Sequence, residues 1–435
     1  MLASIVKETQ MDFNTLLLRL GLDPGNFSNR LNEPIRTDDG FIYEVEQECS
    51  DRACVHCGSS SVVVNDHDTV EINCSETDHI RDVLRIRKTR FRCKSCGRTF
   101  TPAVRGIERN SRTSSQTLGM ILKDFRKAIT FKDIGIRYSL STARILQIFD
   151  ENIRHVPRRR LPRIMCIDEI RFSSDQDQHY CCVLYDFETG EIADIIRSRQ
   201  LAYLDEYFSS IPERERSQVR VFISDMYDGY ATARRRHFPK ALHVVDLFHV
   251  VGQMSAAVGK VRVSAMKRLD RKSVEYGFMK RYWKLFLAKR ENIPDGFYSS
   301  RRTGEAWHYD DLLFQCVLKD SCLLEAYNAL QDLYRYRDSH YSFKEAYDFV
   351  DHISGRLLLS GNDELEKAGR TYRKWIGEIA NGLSYSQSGR RYTNGIAESV
   401  NNRLKTIIKA AYGYSNFERF RKRALLIITY KKEQG

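Results

Sequence analysis

Cys54-Val-His-Cys57-Gly58 and Cys93-Lys-Ser-Cys96-Gly97 repeat one short pattern in this chain. A Cys-x-x-Cys turn presents two thiolates to a single ion, and a glycine behind the pair lets the backbone take the tight turn beneath it. Two such knuckles make a tetrahedral four-thiolate site suited to structural Zn²⁺. The sequence VLRIRKTRFRCKSC leading into the second knuckle is strand-like, so a hairpin is expected between them. Residues 49–100 therefore read as a zinc ribbon. Reduced thiols buried in a small core are the alternative, but they leave the two glycines unexplained. Cys49 and Cys74 lie nearby without partners and are expected to be bystanders, and His56 is expected to be exposed. Eleven cysteines, an odd number, argue against a disulfide framework in a chain of this length.

Arg85, Arg87, Lys88, Arg90 and Arg92 crowd the strand before the second knuckle. They can grip phosphates, or they can form a solvated basic strand. The whole chain leans the same way: 70 Lys and Arg against 57 Asp and Glu give a net charge of +13. That balance suggests a polyanionic partner such as nucleic acid. With 42% hydrophobic residues over 435, the chain can bury cores in two or three domains and is no disordered polymer. No stretch approaches 18 apolar residues, and MLASIVKETQMDFN lacks the regions of a signal peptide. A cytoplasmic protein, associated with the nucleoid if bacterial, is the default expectation.

Residues 1–48 are expected to form an N-terminal helical segment, and residues 98–116 a connector. Residues 117–156 carry the cadence of a helix-turn-helix. In FKDIGIRYSLSTARILQIFDENI a short helix precedes a polar break at Ser139 to Ser141. Ser141 can cap a second helix bearing Ile145, Leu146, Ile148 and Phe149. In a DNA-binding motif of this kind the second helix enters the major groove, which makes Thr142 and Arg144 candidate base contacts. An ordinary helical hairpin would look the same in isolation.

After residue 160 the pattern changes to strands alternating with helices. RIMCIDEIRF is an apolar run reaching Asp168, and HYCCVLYDFETGEIADIIRSR is two strands around a Glu-Thr-Gly turn. A helix, LAYLDEYFSSI, precedes the apolar strand VRVFISDMYDGY, which ends at Asp225; a further helix and strand come next. Three antiparallel opening strands and then strand–helix–strand describe a ribonuclease-H-like sheet. The overall fold class is multidomain α/β, with residues 160–253 as the first part of that core. The first and fourth strands of such a sheet are neighbours, so Asp168 and Asp225 should lie side by side. Adjacent carboxylates repel unless something positive lies between them. Two Mg²⁺ ions would supply it, with Mn²⁺ as a substitute, and two metals about 4 Å apart suit phosphodiester transfer. The opposing view is that strand-end acids merely cap turns.

NGIAESVNNRLKTIIKAAYG, residues 394–413, reads as an amphipathic helix with an apolar stripe of Ile396, Val400, Leu404, Ile408 and Ala411. Its single acid, Glu398, points about 200° away from Val400 and shares a face with Asn401, Asn402 and Lys405. As a third ligand, Glu398 would sit on a basic helix because DNA phosphates must approach the same metals. Arg403 and Lys405 on this helix, and Arg390 and Arg391 before it, are candidate DNA contacts. Asp246 and His249, just past the next strand, are candidates for a supporting or DNA-contact role, with a buried hydrogen-bonded pair as the alternative. Residues 254–385 read as a helical insertion, in which Tyr282, Trp283, Phe286 and Trp307 are expected in the core. Residues 386–435 would return to the core as its last helices.

IMCIDEI, FISDMYDGY, VVDLFHVV and NGIAESVNNRLKTIIKAAYGYSNFERFRKRALL, in this order after a Cys-x-x-Cys ribbon, resemble the DDE transposases of bacterial insertion sequences, and within them the ISL3 family. The resemblance runs from about residue 50 to 430. It implies cut-and-paste movement of a DNA element with terminal inverted repeats, Mg-dependent cleavage and strand transfer, and a triad falling on Asp168, Asp225 and Glu398. It also implies work as a homodimer or larger assembly on double-stranded DNA, since two element ends must be joined. Two places depart from the family pattern. Leu247 stands where relatives often carry Arg, and IRFSSDQDQHY comes after Asp168 in place of a more basic segment. Competing readings are a non-catalytic DNA-binding regulator and a ribonuclease-H-like nuclease without strand transfer.

Overall fold

A computed structural model describes residues 12–29, 33–38, 40–49, 52–74, 81–108, 111–172, 180–300, 304–387, 390–392, 395–411 and 413–433. The chain divides into two compact units, Met1–Val156 with Thr406–Gly435, and Pro157–Lys405.

Among the described residues the first unit opens with a helix, Phe13–Arg19, whose start is capped by Asp12. The expected helical segment over 1–48 ends there. The next stretch is strand instead: Phe27–Asn29, Ile35–Arg36 and Gly40–Gln47 all join a six-stranded sheet. The reason is visible in GFIYEVEQ, where buried Tyr43, Val45 and Gln47 alternate with half-buried Glu44 and Glu46, the period-two pattern of a strand. Gly40–Gln47 pairs in parallel with Arg81–Cys93, and Val62–Asn73 pairs antiparallel with that same strand. Leu16 and Leu17 pack beneath this sheet on Val45, Ile72, Leu84 and Ile86.

Three helices come next, Ser115–Asp124, Phe131–Arg137 and Thr142–Asn152. They close on Ile121, Phe125, Ile134, Ile145, Ile148 and Phe149. Thr130 and Asp133 form a reciprocal capping box at the second helix, and Ser141 caps the third. The turn between the last two is tight. A Cβ at Gly135 would meet the Leu140 carbonyl at 2.6 Å, so only glycine lets the turn fold back on its helix.

The chain's last helix, Phe417–Glu433, belongs to this bundle and not to the second unit. Arg423 is buried on it, with its guanidinium 4.6 Å from the Phe131 ring centroid. Its Nη2 donates to the carbonyls of Lys127 and Ile129 at 3.0 and 2.9 Å. Arg419 pairs with Asp150 at 2.6 Å. The expected return of all of 386–435 to the core is corrected accordingly: Thr406 onward serves the first unit. Apolar periodicity showed that these segments are helices; it carries no information about which domain they cover.

The second unit is built on a five-stranded sheet. In chain order its strands are Ile164–Arg171, Tyr180–Asp186, Ile192–Ile196, Val221–Ser224 and Leu242–Val245. Side by side they run fifth, fourth, first, second, third. The first three are antiparallel neighbours; the fourth lies parallel to both the first and the fifth. Leu204 and Phe208 of helix Leu201–Ser209 and Tyr230 of helix Asp228–His237 pack with Met165, Leu184 and Phe222 of the sheet.

Beyond the fifth strand the unit is mainly helical from Leu247–Lys267 to Ile376–Ser384, interrupted by a small hairpin of Phe297–Ser299 and Ala306–His308. One apolar cluster runs through these helices. Phe286 is buried there, and Tyr282 and Trp307 pack against it. Trp283 departs from expectation and is 42% exposed. Among the described residues, no helix is long and apolar enough to cross a membrane.

Candidate active site and metal centre

The two Cys-x-x-Cys turns meet. Cys54 Sγ lies 3.7 Å from Cys96 Sγ, and Cys57 Sγ lies 3.6 Å from Cys93 Sγ; all four sulfurs fall within 4.8 Å of one another. A Zn–S bond of about 2.3 Å gives tetrahedral S–S edges of about 3.8 Å, so the spacing fits Zn²⁺ with little adjustment. Gly58 and Gly97 have φ of +74° and +71°, the left-handed region glycine adopts freely. Backbone N–H groups of Cys96 and Ser95 aim at Cys93, and its thiol pKa falls to about 6. Thiolate is the ligating form. Cys57, 3.6 Å away, moves the opposite way: against a backbone hydrogen bond at Ser59, the neighbouring sulfurs of Cys93, Cys96 and Cys54 push its pKa up to about 12. Cys74 is buried away from the knuckles, whereas Cys49 packs against the small core that holds Cys54 and Cys93.

The basic strand is partly committed elsewhere. Arg85 donates to Glu44 at 2.7 Å and to Glu71 at 2.9 Å, so its guanidinium is already occupied by carboxylates. Arg90 lies 3.8 Å from Asp66.

In the second unit, carboxylates gather on and just beyond the inner strands Ile164–Arg171 and Val221–Ser224 of the five-stranded sheet. Ile223 pairs with Cys166 across the fourth and first strands. Asp225 and Asp168 each lie two residues further on, Asp225 just past the end of Val221–Ser224 and Asp168 still inside Ile164–Arg171, so the parallel register sets them at the same level on neighbouring strands. Asp168 is held from two sides. Its Oδ1 accepts from the Glu169 N–H at 2.8 Å, and its Oδ2 accepts from Asn401 Nδ2 at 2.7 Å. Asn401 is buried, and its own Oδ1 has no partner among the described residues. In the sequence Asn401 shares the face of Glu398 without a role of its own; the three-residue spacing was the available signal.

Asp225 is strained electrostatically. Its Oδ1 is buried without a hydrogen-bond partner among the described residues. Burial, then the charge of Glu169, then that of Asp168, push its pKa up to about 6, against the pull of His249. The charge of Glu169 thus reaches Asp225 as well. Arg199 holds Glu169 with two bonds of 2.9 and 2.8 Å, and the Arg199 guanidinium lies over the rings of Tyr180 and Tyr227. Carboxylate oxygens are the ligand type that hard divalent cations take, although among the described residues only the four cysteines gather within ligand distance of one another.

Asp246 is buried and caps the helix Leu247–Lys267. Its backbone N–H donates to the Ser224 carbonyl, which fixes it beside Asp225. His249 Nε2 lies 4.0 Å from Asp246, and its side chain is 36% exposed, so the two are not the enclosed pair offered as an alternative. Leu247 is buried in the core.

Helix Gly395–Ala410 forms as expected. The side chains of Glu398 and Arg390 lie outside the described residues, as does the segment 173–179. Arg391 turns inward: its Nη1 donates to the Tyr336 carbonyl at 3.3 Å, and burial lowers its pKa. That orientation removes it from the candidate phosphate contacts. Arg403 and Lys405 are exposed. In the first unit Thr142 is exposed, while Arg144 is half-exposed and 3.8 Å from Glu151.

A family model described as transposase, that of the ISL3 group, matches residues 165–424. This is the larger part of the chain and contains Asp168, Glu169, Asp225, Asp246 and Glu398. The chain belongs to the ISL3 family of transposases. The transposase of insertion element IS1001 from Bordetella parapertussis is 22% identical over 84% of this chain and 86% of its own length. A Lactococcus lactis protein named as an ATP-dependent protease is 33% identical, but over 24% of this chain and 32% of its own. The long match spans both units of this transposase; the short one covers a minor part of either protein.

Proposed function

We propose that this transposase binds the terminal inverted repeats of an insertion sequence and moves it by divalent-metal-dependent cleavage and strand transfer. The second unit then supplies a ribonuclease-H-like core, residues 160–253, with a helical insertion over 254–385. The ribbon 49–100 and the helix-turn-helix 117–156 read the DNA. Thr142 and Arg144 would face base edges, and Arg403 and Lys405 the phosphates near the acids.

The observation that carries this reading is the bond from Asn401 to Asp168. Asn401 lies one turn after Glu398 on the same helix, so Glu398 belongs to the element that meets the Asp168 strand. Asp168, Asp225 and Glu398 are the proposed ligands. A bound pair of Mg²⁺ or Mn²⁺ ions would polarise the attacking oxygen and stabilise the leaving one.

The chain's own contribution is preparation. The Glu169 N–H and Asn401 fix the orientation of Asp168. Asp225, with its raised pKa, releases its proton as positive charge approaches. His249 adds positive potential on the same side when protonated. Hydrolysis of the phosphodiester frees a 3′-hydroxyl, and that hydroxyl attacks target DNA in line, without a covalent enzyme intermediate. Two element ends must be joined, so a homodimer on DNA is the expected working form.

The test is strand cleavage of repeat-bearing DNA with Mg²⁺ by Asp168→Asn, Asp225→Asn and Glu398→Gln. Each variant should bind the ends and fail to cut. Undiminished cutting by any of them removes that residue from the site. Cutting by the unmodified protein without joining to target would instead support a nuclease.

A further inference from the structure

Phe248 is 75% exposed, and it comes three residues after the strand Leu242–Val245, which pairs with the strand leading to Asp225. A single surface phenylalanine is ordinary on a protein. Its position here is not. Ser224 pairs with Val245, so Asp225 and Asp246 come next on adjacent strand ends. Phe248 is in the first turn of the helix that Asp246 caps, and its N–H donates to Asp246 Oδ1 at 3.2 Å. Leu247, Val250 and Met254 on that helix are buried; Phe248 faces the other way. The His249 ring packs edge-on to it at 5.8 Å, and the charge of His249 acts on Asp225. An aromatic face is thus left in solvent two residues after Asp246, next to His249.

We propose that Phe248 is a stacking platform for a nucleobase displaced from the duplex at the cleavage position. The proposal rests on the transposase reading above and adds to it a contact with a base. An aromatic face accepts any base, because every base has a π-face. Inserting or stacking an apolar ring compensates for the loss of base stacking when a step is opened. Such opening would bring the scissile phosphate off the duplex surface and toward Asp168 and Asp225. The neighbouring imidazole would then lie against the rim of the stacked base.

The test uses the full chain and a duplex carrying the element end. Permanganate oxidation of thymines, with protein bound and no divalent metal added, reads unstacking without cleavage. The unmodified protein should make one thymine near the cut position hyper-reactive. Phe248→Ala should lose that reactivity, and Phe248→Trp should keep it, with duplex affinity unchanged in both. In Mg²⁺, Phe248→Ala should cut fully paired DNA about tenfold or more slower, the usual effect of losing one stacked base. A mismatch or abasic site at the terminal pair should restore the rate.

Equal permanganate patterns for the unmodified protein and Phe248→Ala would overturn the proposal. So would slow cutting by Phe248→Ala that pre-opened DNA does not rescue, since that result marks a structural defect. If the unmodified protein cuts nothing, the transposition reading fails, and the permanganate comparison still decides the role of Phe248.

Discussion

The thiol cluster and the set of carboxylates in the second unit are both places where like groups crowd together, and they are built in opposite ways. Each cysteine pair is local. Two residues separate its members, and a glycine at positive φ sets the turn; the hairpin of Val62–Asn73 and Arg81–Cys93 then brings the two pairs together. The acids are remote from one another in the chain. Asp168 and Asp225 meet only because the fourth strand inserts beside the first, and Asn401 reaches Asp168 from a helix 233 residues away. The local site can lower a thiol pKa with its own backbone N–H groups. The remote site does the reverse: burial and like charge raise Asp225. At the thiol site the cost falls on Cys57, whose pKa the neighbouring sulfurs push up to about 12, and at the other on Asp225.

Removing the ion from the thiol site should have the largest effect. Structural zinc contributes about 10 kcal/mol or more in small metal-folded modules at neutral pH. Chelation, or Cys93→Ser, should therefore melt the first unit far below its metal-loaded temperature in calorimetry. Metal analysis should find about one zinc per chain. An unchanged melt after chelation would show that the ribbon is held by its sheet alone.

Asp225→Asn tests the opposite sign at the other site. Asp225 titrates near 6 in the fold against an ordinary 3.8. The folded form therefore binds the proton more tightly than the unfolded chain. Stability should fall as pH rises from about 4 to about 6, leaving a deficit of roughly 2–3 kcal/mol at pH 7.5. Asn carries no charge, so the variant should gain about that much at pH 7.5 in urea unfolding and lose the slope. A variant less stable than the parent at pH 7.5 would mean that the acids do not repel. Mg²⁺ should stabilise the parent more than the variant.

Asn401→Ala removes one of the two donors that orient Asp168. Cleavage should drop about 10- to 100-fold, the usual cost of losing a group that orients a metal ligand, with end binding intact. A full-rate variant would leave the Glu398 helix without a demonstrated link to the site. The smallest effect expected is that of Gly97→Ala. No atom lies within 4 Å of a Cβ built there, so the cost is purely that of a left-handed backbone, about 1–2 kcal/mol in thermal unfolding of the zinc-loaded protein. A larger loss would show that the glycine also protects packing.

Much of the local structure was legible without coordinates. The knuckles, the Ser141 cap, the strand–helix alternation and the helical nature of 254–385 all arise from spacing, caps and apolar period, which act between residues a few positions apart. The N-terminal strands were missed although Tyr43, Val45 and Gln47 alternate with Glu44 and Glu46, because the run is short and mixed. Arg391 shows a different limit. Its charge suggested a phosphate, but the position of Tyr336 turns it inward.

By itself, then, the sequence determined which groups can bind hard or soft cations and which segments are strand or helix. Those properties depend on side-chain chemistry and near neighbours. Tertiary structure alone decided that Glu169 and Asp168 act on Asp225, that Asn401 holds Asp168, and that the final helix serves the first unit through Arg423. Each of these is a contact across tens to hundreds of residues. Strand insertion and helix docking fix such contacts, and no local period in the chain encodes them.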